Sequence, residues 1–140
     1  MEYLKDAFIS YSSKNSAIAS KIKDELENNK FRIWLDTSEL EYGVLLRDQI
    51  QSSIFDSRVL ILMWSRHASK SRWVSAELLS AFHSHHFIVP CILDNIKLPQ
   101  FLQDTKYIDL RKNKDNEENL SIAIRNAPNS SNKYFRLLEE

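Results

Sequence analysis

Short apolar runs alternate with amphipathic stretches along the chain. "DAFISY" (6–11) is largely apolar, is bounded by the polar turn "SSKNS", and predicts a strand. From Ser16 to Asn29 the positions Ile18, Ile22 and Leu26 recur every four residues, one stripe of a helix. "FRIWLD" (31–36) predicts a second strand. A polar loop with Gly43 follows, then a helix on which Leu46, Ile50 and Ile54 share a face. "RVLILMW" (58–64) and "FIVPCIL" (87–93) are almost continuously apolar, the pattern of strands covered on both sides in a parallel sheet. Pro90 lacks the amide a ladder needs, so it points to an edge or bulge. Between these runs, "SRWVSAELLSAF" (71–82) reads as the start of a helix with Trp73 and Glu77 stacked on one face. Val74, Leu78, Leu79 and Phe82 are expected to pack in other directions. "KYIDL" (106–110) is a weaker fifth strand, and Leu120, Ala123, Ile124 and Ala127 follow helical spacing after it. Pro99 is placed to open a short helical turn.

Five β–α alternations imply one doubly wound α/β domain with helices on both faces of a parallel sheet. A chain of 140 residues suits a single hydrophobic core. The domain is expected over residues 1–127. Residues 128–140, whose last dozen, "NSSNKYFRLLEE", begin with a turn-rich stretch, are expected to be a linker or the beginning of a following region. In this architecture ligands bind beyond the carboxyl ends of the strands. Four pieces gather there: Tyr11, Ser12 and Ser13 after strand one, the loop 36–45 after strand two, Trp64 and Ser65 after strand three, and the helix entrance with Trp73 and Glu77.

Composition narrows the chemistry. Nineteen basic residues balance nineteen acidic ones, so no net field favours nucleic acid or an anionic membrane. Gly43 is the single glycine, which excludes the glycine-rich phosphate loops of dinucleotide-binding folds and P-loops. Cys91, the single cysteine, has no internal disulfide partner and lies in an apolar run, as a buried inert thiol would. No apolar run exceeds seven residues, too short for a membrane span, and "MEYLKDAF" has no basic region followed by an apolar stretch, so no leader and a cytoplasmic location are expected. His83, His85 and His86 have no cysteine or clustered carboxylate beside them to complete a tetrahedral set, so no metal is expected.

"DAFISYSSKN" resembles the first sequence box of Toll/interleukin-1 receptor (TIR) domains. "FRIWLDTSELEYG" resembles their second strand and BB loop, with Gly43 at the family's glycine. "SRWVSAEL" resembles the Ser-x-Trp-x-x-x-Glu element of TIR domains that consume NAD+, and "IVPCIL" resembles the fourth strand. These boxes run in the family's order from residue 6 to about 126. The resemblance implies a flavodoxin-like, doubly wound five-stranded parallel sheet. Many bacterial and plant members cleave the nicotinamide–ribose bond of NAD+, whereas many animal receptor and adaptor members are scaffolds that bind other TIR domains.

By resemblance, Glu77 is the catalytic residue and Trp73 contacts the substrate. Tyr11, Ser12 and Ser13 line the nucleotide side of the pocket. Glu41, Gly43 and Leu45 lie on a BB loop that shapes the site, often from a neighbouring copy. Relatives carry arginine after the tyrosine where this chain has Ser12, which leaves phosphate contact to hydroxyls, backbone amides, Lys14 or Arg47. The chain also has Tyr42-Gly43 where Pro-Gly is common.

The chemistry suits one carboxylate. Glycosidases usually need a second one as general acid, but nicotinamide leaves a cationic pyridinium as a neutral molecule. A negative charge beside a ribose becoming oxocarbenium-like, with hydrogen bonds to its hydroxyls, is what helps. The reading that follows is an NAD+ glycohydrolase giving nicotinamide and ADP-ribose or a cyclic isomer. NAD+ is then the substrate, with no separate cofactor. Self-association with other TIR domains would activate it in antiphage defence or cell-death signalling, with a fused or separate sensor protein as trigger. The alternative is a non-catalytic TIR scaffold. A deoxyribosyltransferase-like enzyme, which also sets a glutamate against a ribosyl carbon, is a third class that the boxes disfavour.

Overall fold

The structure is a computed structural model that describes residues 4–35, 56–83, 86–111 and 115–128; for Trp73, His83 and 115–117 it describes the backbone alone. Five strands form one parallel sheet: β1 (Lys5–Ser10), β2 (Ile33–Leu35), β3 (Ser57–Trp64), β4 (Phe87–Ile92) and β5 (Ile108–Asp109). Their order across the sheet is β2-β1-β3-β4-β5, the order of flavodoxin-like folds. The described helices are α1 (Ser16–Asn28), α2 (Arg66–Ser69), α3 (Arg72–His83) and α4 (Asp115–Asn126). The expected doubly wound sheet with helices on both faces is therefore present.

Strand alternation divides the core into two halves. Ala7, Ile9, Val59, Ile61, Met63, Val89 and Cys91 point to the side covered by α1 and α4, where Ala19, Ile22, Leu26, Leu120 and Ile124 meet them. Phe8, Leu60, Leu62, Trp64 and Ile92 point to the side covered by α2 and α3, against Ala68, Val74, Leu78 and Ala81. Each fully buried Leu or Ile contributes roughly 1.5–3 kcal/mol by leaving water. Runs apolar at every position are what a strand needs when both of its faces are covered.

Pro90 lies opposite Leu62 in β4, an interior strand. The pairing of β4 with β5 begins only at Cys91, so Pro90 sits on a stretch whose outer side has no strand beside it. The expected edge is thus local. Pro99 precedes a short 3₁₀ turn at Gln100–Leu102, as anticipated. The helix read around Leu46, Ile50 and Ile54 lies outside the described residues.

With glycine so scarce, α1 ends on a lysine. Lys30 has φ 74°, and its amide donates to Glu27 O at 3.0 Å while that of Phe31 donates to Leu26 O at 3.1 Å. These are the two bonds of a Schellman stop, a position that favours glycine. A side chain there costs about 1 kcal/mol or more.

Two fastenings hold the amino end of the sheet. Asp6 of β1 accepts the Arg32 amide at 2.7 Å and both sides of the Arg32 guanidinium at 3.4 Å. Arg58 lies 3.8 Å from the same carboxylate. Partial burial pushes the Asp6 carboxyl up, but the Arg32 hydrogen bonds and the charges of Arg32 and Arg58 outweigh it and hold the group below the ordinary aspartate range. Arg58 also donates to the carbonyls of Ile124 (2.8 Å) and Ala127 (2.9 Å), closing the carboxyl end of α4 with a positive charge.

Candidate functional site: a buried serine–glutamate pair at the strand ends

The site begins with parity along β1. Phe8 points to the α3 side, so Ser10, two residues on, points there too. Ser71 immediately precedes helix α3, and its hydroxyl accepts the Val74 amide at 3.1 Å as an N-cap. Its inward stripe is Val74, Glu77, Leu78 and Ala81, spaced i, i+3, i+4 and i+7. One polar side chain thus falls on each of two facing apolar surfaces, and they meet. Ser10 Oγ donates to Glu77 Oε1 at 2.6 Å, and both residues are 0 % exposed. That separation is typical of a hydroxyl bonded to a carboxylate.

The packing expected for this helix is corrected in part. Val74 and Leu78 are buried on the same inward stripe as Glu77 instead of in other directions, while Leu79 (51 % exposed) and Phe82 (47 % exposed) face outward. Glu77 is also the sixth residue of α3, counted from Arg72. The helix dipole acts mainly within the first turn, so Ser10 is a more direct support for this carboxylate than the helix start.

The pair lies at the topological switch of the sheet. Ser10 ends β1 opposite Leu62 of β3, and the chain leaves these adjacent strands toward opposite faces, α1 on one and α3 on the other. Tyr11, Ser12 and Ser13 follow directly. Tyr11 packs against the core on the α1 side, and Ser13 is exposed. Ser12 is buried and caps the next turn, its hydroxyl accepting the Lys14 amide at 3.3 Å. Ser65 Oγ bonds Asn15 Oδ1 at 2.6 Å, tying this loop to the exit of β3. One residue earlier, Trp64 Nε1 donates to Lys97 O at 2.8 Å. The β1 loop and the β3 exit therefore meet as the topology requires.

Glu41, Gly43, Leu45 and Arg47 lie outside the described residues, as do the side chains of Trp73 and His83 and all of His85. Trp73 itself falls in the first turn of α3. Cys91 is buried, and burial pushes its thiol up to about 12, which removes it as a nucleophile at neutral pH. Among the described residues no helix is long and apolar enough to cross a membrane.

Two open grooves lie away from the pair. One of about 430 Å³ runs between α1 and α4, with Asn29, Ser121 and Arg125 in its walls. The other, about 330 Å³, lies beyond the ends of β4 and β5, between Asp94, Lys97, Tyr107 and Arg111. Neither is lined by Ser10 or Glu77. The candidate site therefore rests on the buried carboxylate and not on cavity volume.

Comparison with known proteins decides the family. Residues 7–124 match the family model described as TIR domain. The chain belongs to the TIR-domain family. Among solved structures, it is similar to the TIR domain of the Toll-related receptor TRR-2 from Hydra magnipapillata, with TM-score 0.75, 22 % identity, and 87 % of this chain and 99 % of that one covered. A metazoan TIR-STING receptor from C. gigas is similar at TM-score 0.72 and 23 % identity, covering 92 % of this chain and 43 % of the receptor. The TIR domains of the activated Roq1 resistosome, which directly recognises the pathogen effector XopQ, are similar at TM-score 0.64 and 16 % identity, covering 86 % and 97 %. A comparison with curated proteins gives no match.

In this TIR domain, Ser10 and Asn15 are the polar contacts that sequence reasoning did not single out. Ser10 carried a signal: it is the polar member of the inward parity set in an otherwise buried strand. Asn15 carried none, because its partner lies fifty residues away.

Proposed function

We propose that this TIR domain is an NAD+ glycohydrolase that breaks the nicotinamide–ribose bond with Glu77 as its catalytic residue. The observation that carries the reading is the fully buried Glu77, hydrogen-bonded to Ser10 at the switch point of the sheet. A leucine on that stripe would bury as well without the desolvation cost of a carboxylate. A carboxylate kept there is better explained by chemistry than by packing.

In the proposed reaction the C1′–N bond breaks and its electron pair stays on the ring nitrogen, so nicotinamide departs neutral and needs no acid. The Glu77 carboxylate stabilises the positive charge growing on the ribose and holds its hydroxyls. Water captures C1′, loses a proton and gives ADP-ribose; capture by an adenine nitrogen gives a cyclic isomer instead. Trp73 supplies a flat surface for a ring, and the Tyr11–Ser13 loop lines the nucleotide side.

Glu77 has no exposure in the single chain, so substrate reaches it only after its surroundings change. Self-association is the proposed trigger, with Glu41, Gly43 and Leu45 of the BB loop completing the site across a contact between copies. The cellular setting proposed is the cytoplasm, in antiphage defence or cell-death signalling under a fused or separate sensor.

A second reading, a scaffold that binds other TIR domains without catalysis, draws support from one surface. Leu79 and Phe82 project outward from α3, and the Phe82 ring lies 4.7 Å from that of Phe101, itself half exposed. The deciding experiment is nicotinamide release from NAD+ at high protein concentration, with and without a crowding agent, for the parent and Glu77→Ala. The glycohydrolase reading expects release by the parent only. No release from a parent shown by light scattering to have assembled would favour the scaffold, and equal release from both would remove Glu77 from the chemistry.

A further inference from the structure

We infer that Ser10 is a positioning residue for Glu77, fixing the carboxylate against the reacting ribose through its hydroxyl; this rests on the glycohydrolase reading. Packing can place the Glu77 stem, but the last torsion of a glutamate is broad, so packing leaves the carboxylate plane poorly set. A hydrogen bond to one oxygen sets it. The donor is well suited to that task, since Ser10 is held by backbone pairing with β3 and is itself fully buried. Its 2.6 Å bond joins the carboxyl end of β1 to the second turn of α3 across 67 residues of sequence. Misplacing a charge by a fraction of an ångström weakens the field at the reacting carbon more than it weakens ground-state binding.

A merely structural hydroxyl would affect folding rather than the chemical step. Three variants separate the possibilities: Ser10→Ala removes the donor, Ser10→Cys keeps the approximate shape with a poor donor, and Ser10→Thr keeps the hydroxyl. Each is tested for thermal unfolding, for assembly by light scattering, and for kcat and KM with NAD+, beside the parent and Glu77→Ala. The expected result is a kcat lowered about tenfold to a hundredfold in Ala and Cys, with KM within about twofold and most of kcat recovered in Thr. An active parent, a dead Glu77→Ala and a folded, assembled Ser10→Ala with parental kcat would overturn the positioning role alone. A Ser10→Cys with parental kcat would overturn it too, because shape and not the donor would then suffice. An assembled parent that releases no nicotinamide would remove the glycohydrolase reading and this inference together.

Discussion

Strand β1 carries a carboxylate contact at each end, and the two are built differently. At the amino end, Asp6 is partly exposed and accepts hydrogen bonds from Arg32, with Arg58 beside it. At the carboxyl end, Ser10 donates a neutral hydroxyl to a Glu77 that is wholly buried. The first arrangement satisfies charge with charge near water, where desolvation is modest, and it links β1, β2, β3 and α4. The second places a charge-bearing group in an apolar layer, where desolvation is severe. Elements that hold a fold together tend toward the first kind, and groups held ready for chemistry toward the second.

Breaking the amino-end fastening has the largest expected effect on stability. Arg58 closes α4 through two carbonyls and sits beside Asp6, so Arg58→Met is expected to lose about 2–4 kcal/mol in urea unfolding. Nicotinamide release per folded, assembled molecule should stay near the parental level, because the change lies at the far end of the strand from Glu77. A loss below about 1 kcal/mol would mean that this end does not fasten the helix.

The carboxyl-end pair should respond in the opposite direction. The double variant Ser10→Ala with Glu77→Met replaces the buried polar pair with apolar groups, a change expected to be neutral or to stabilise by up to about 3 kcal/mol. Nicotinamide release should vanish in the same protein. Stability gained where activity is lost would sharpen the contrast between the two ends. A clear destabilisation would make the pair a structural element like Asp6 and its arginines.

Much of the frame was legible because its signals are local. Continuous apolar runs located β3 and β4, and a four-residue recurrence located α1. The inward face of α3 was harder to read, since Val74, Leu78, Leu79 and Phe82 also make a plausible stripe. Packing against the sheet selects Val74, Glu77, Leu78 and Ala81 instead, a choice that depends on where β1 and β3 lie. Ser10 was recognisable as part of a strand, but its partner Glu77 lies on a helix far away in sequence. The lysine stop of α1 had no local signal either: Lys30 takes a glycine conformation where the chain turns out of α1 toward β2.

The smallest expected effect is an acid dependence confined to the amino end. Asp6 is held below the ordinary aspartate value of 3.8, so the folded protein keeps this carboxylate ionised to lower pH than the unfolded chain does. Its contribution to stability is therefore complete above that value, and it fades as pH falls through the lower, folded-state one. Asp6→Asn is expected to lose less than about 1 kcal/mol at neutral pH, since solvent screens a partly exposed network. Its more telling property is the slope: urea midpoints measured from about pH 6 down to about pH 2 should fall less steeply than in the parent. High salt should shrink the difference, because exposed charges are screened within about 10 Å at 0.1 M ionic strength. Identical slopes in parent and variant would mean that the arginines do not hold Asp6 in its charged form. The contrast would then rest on burial alone: one carboxylate near water and one sealed from it.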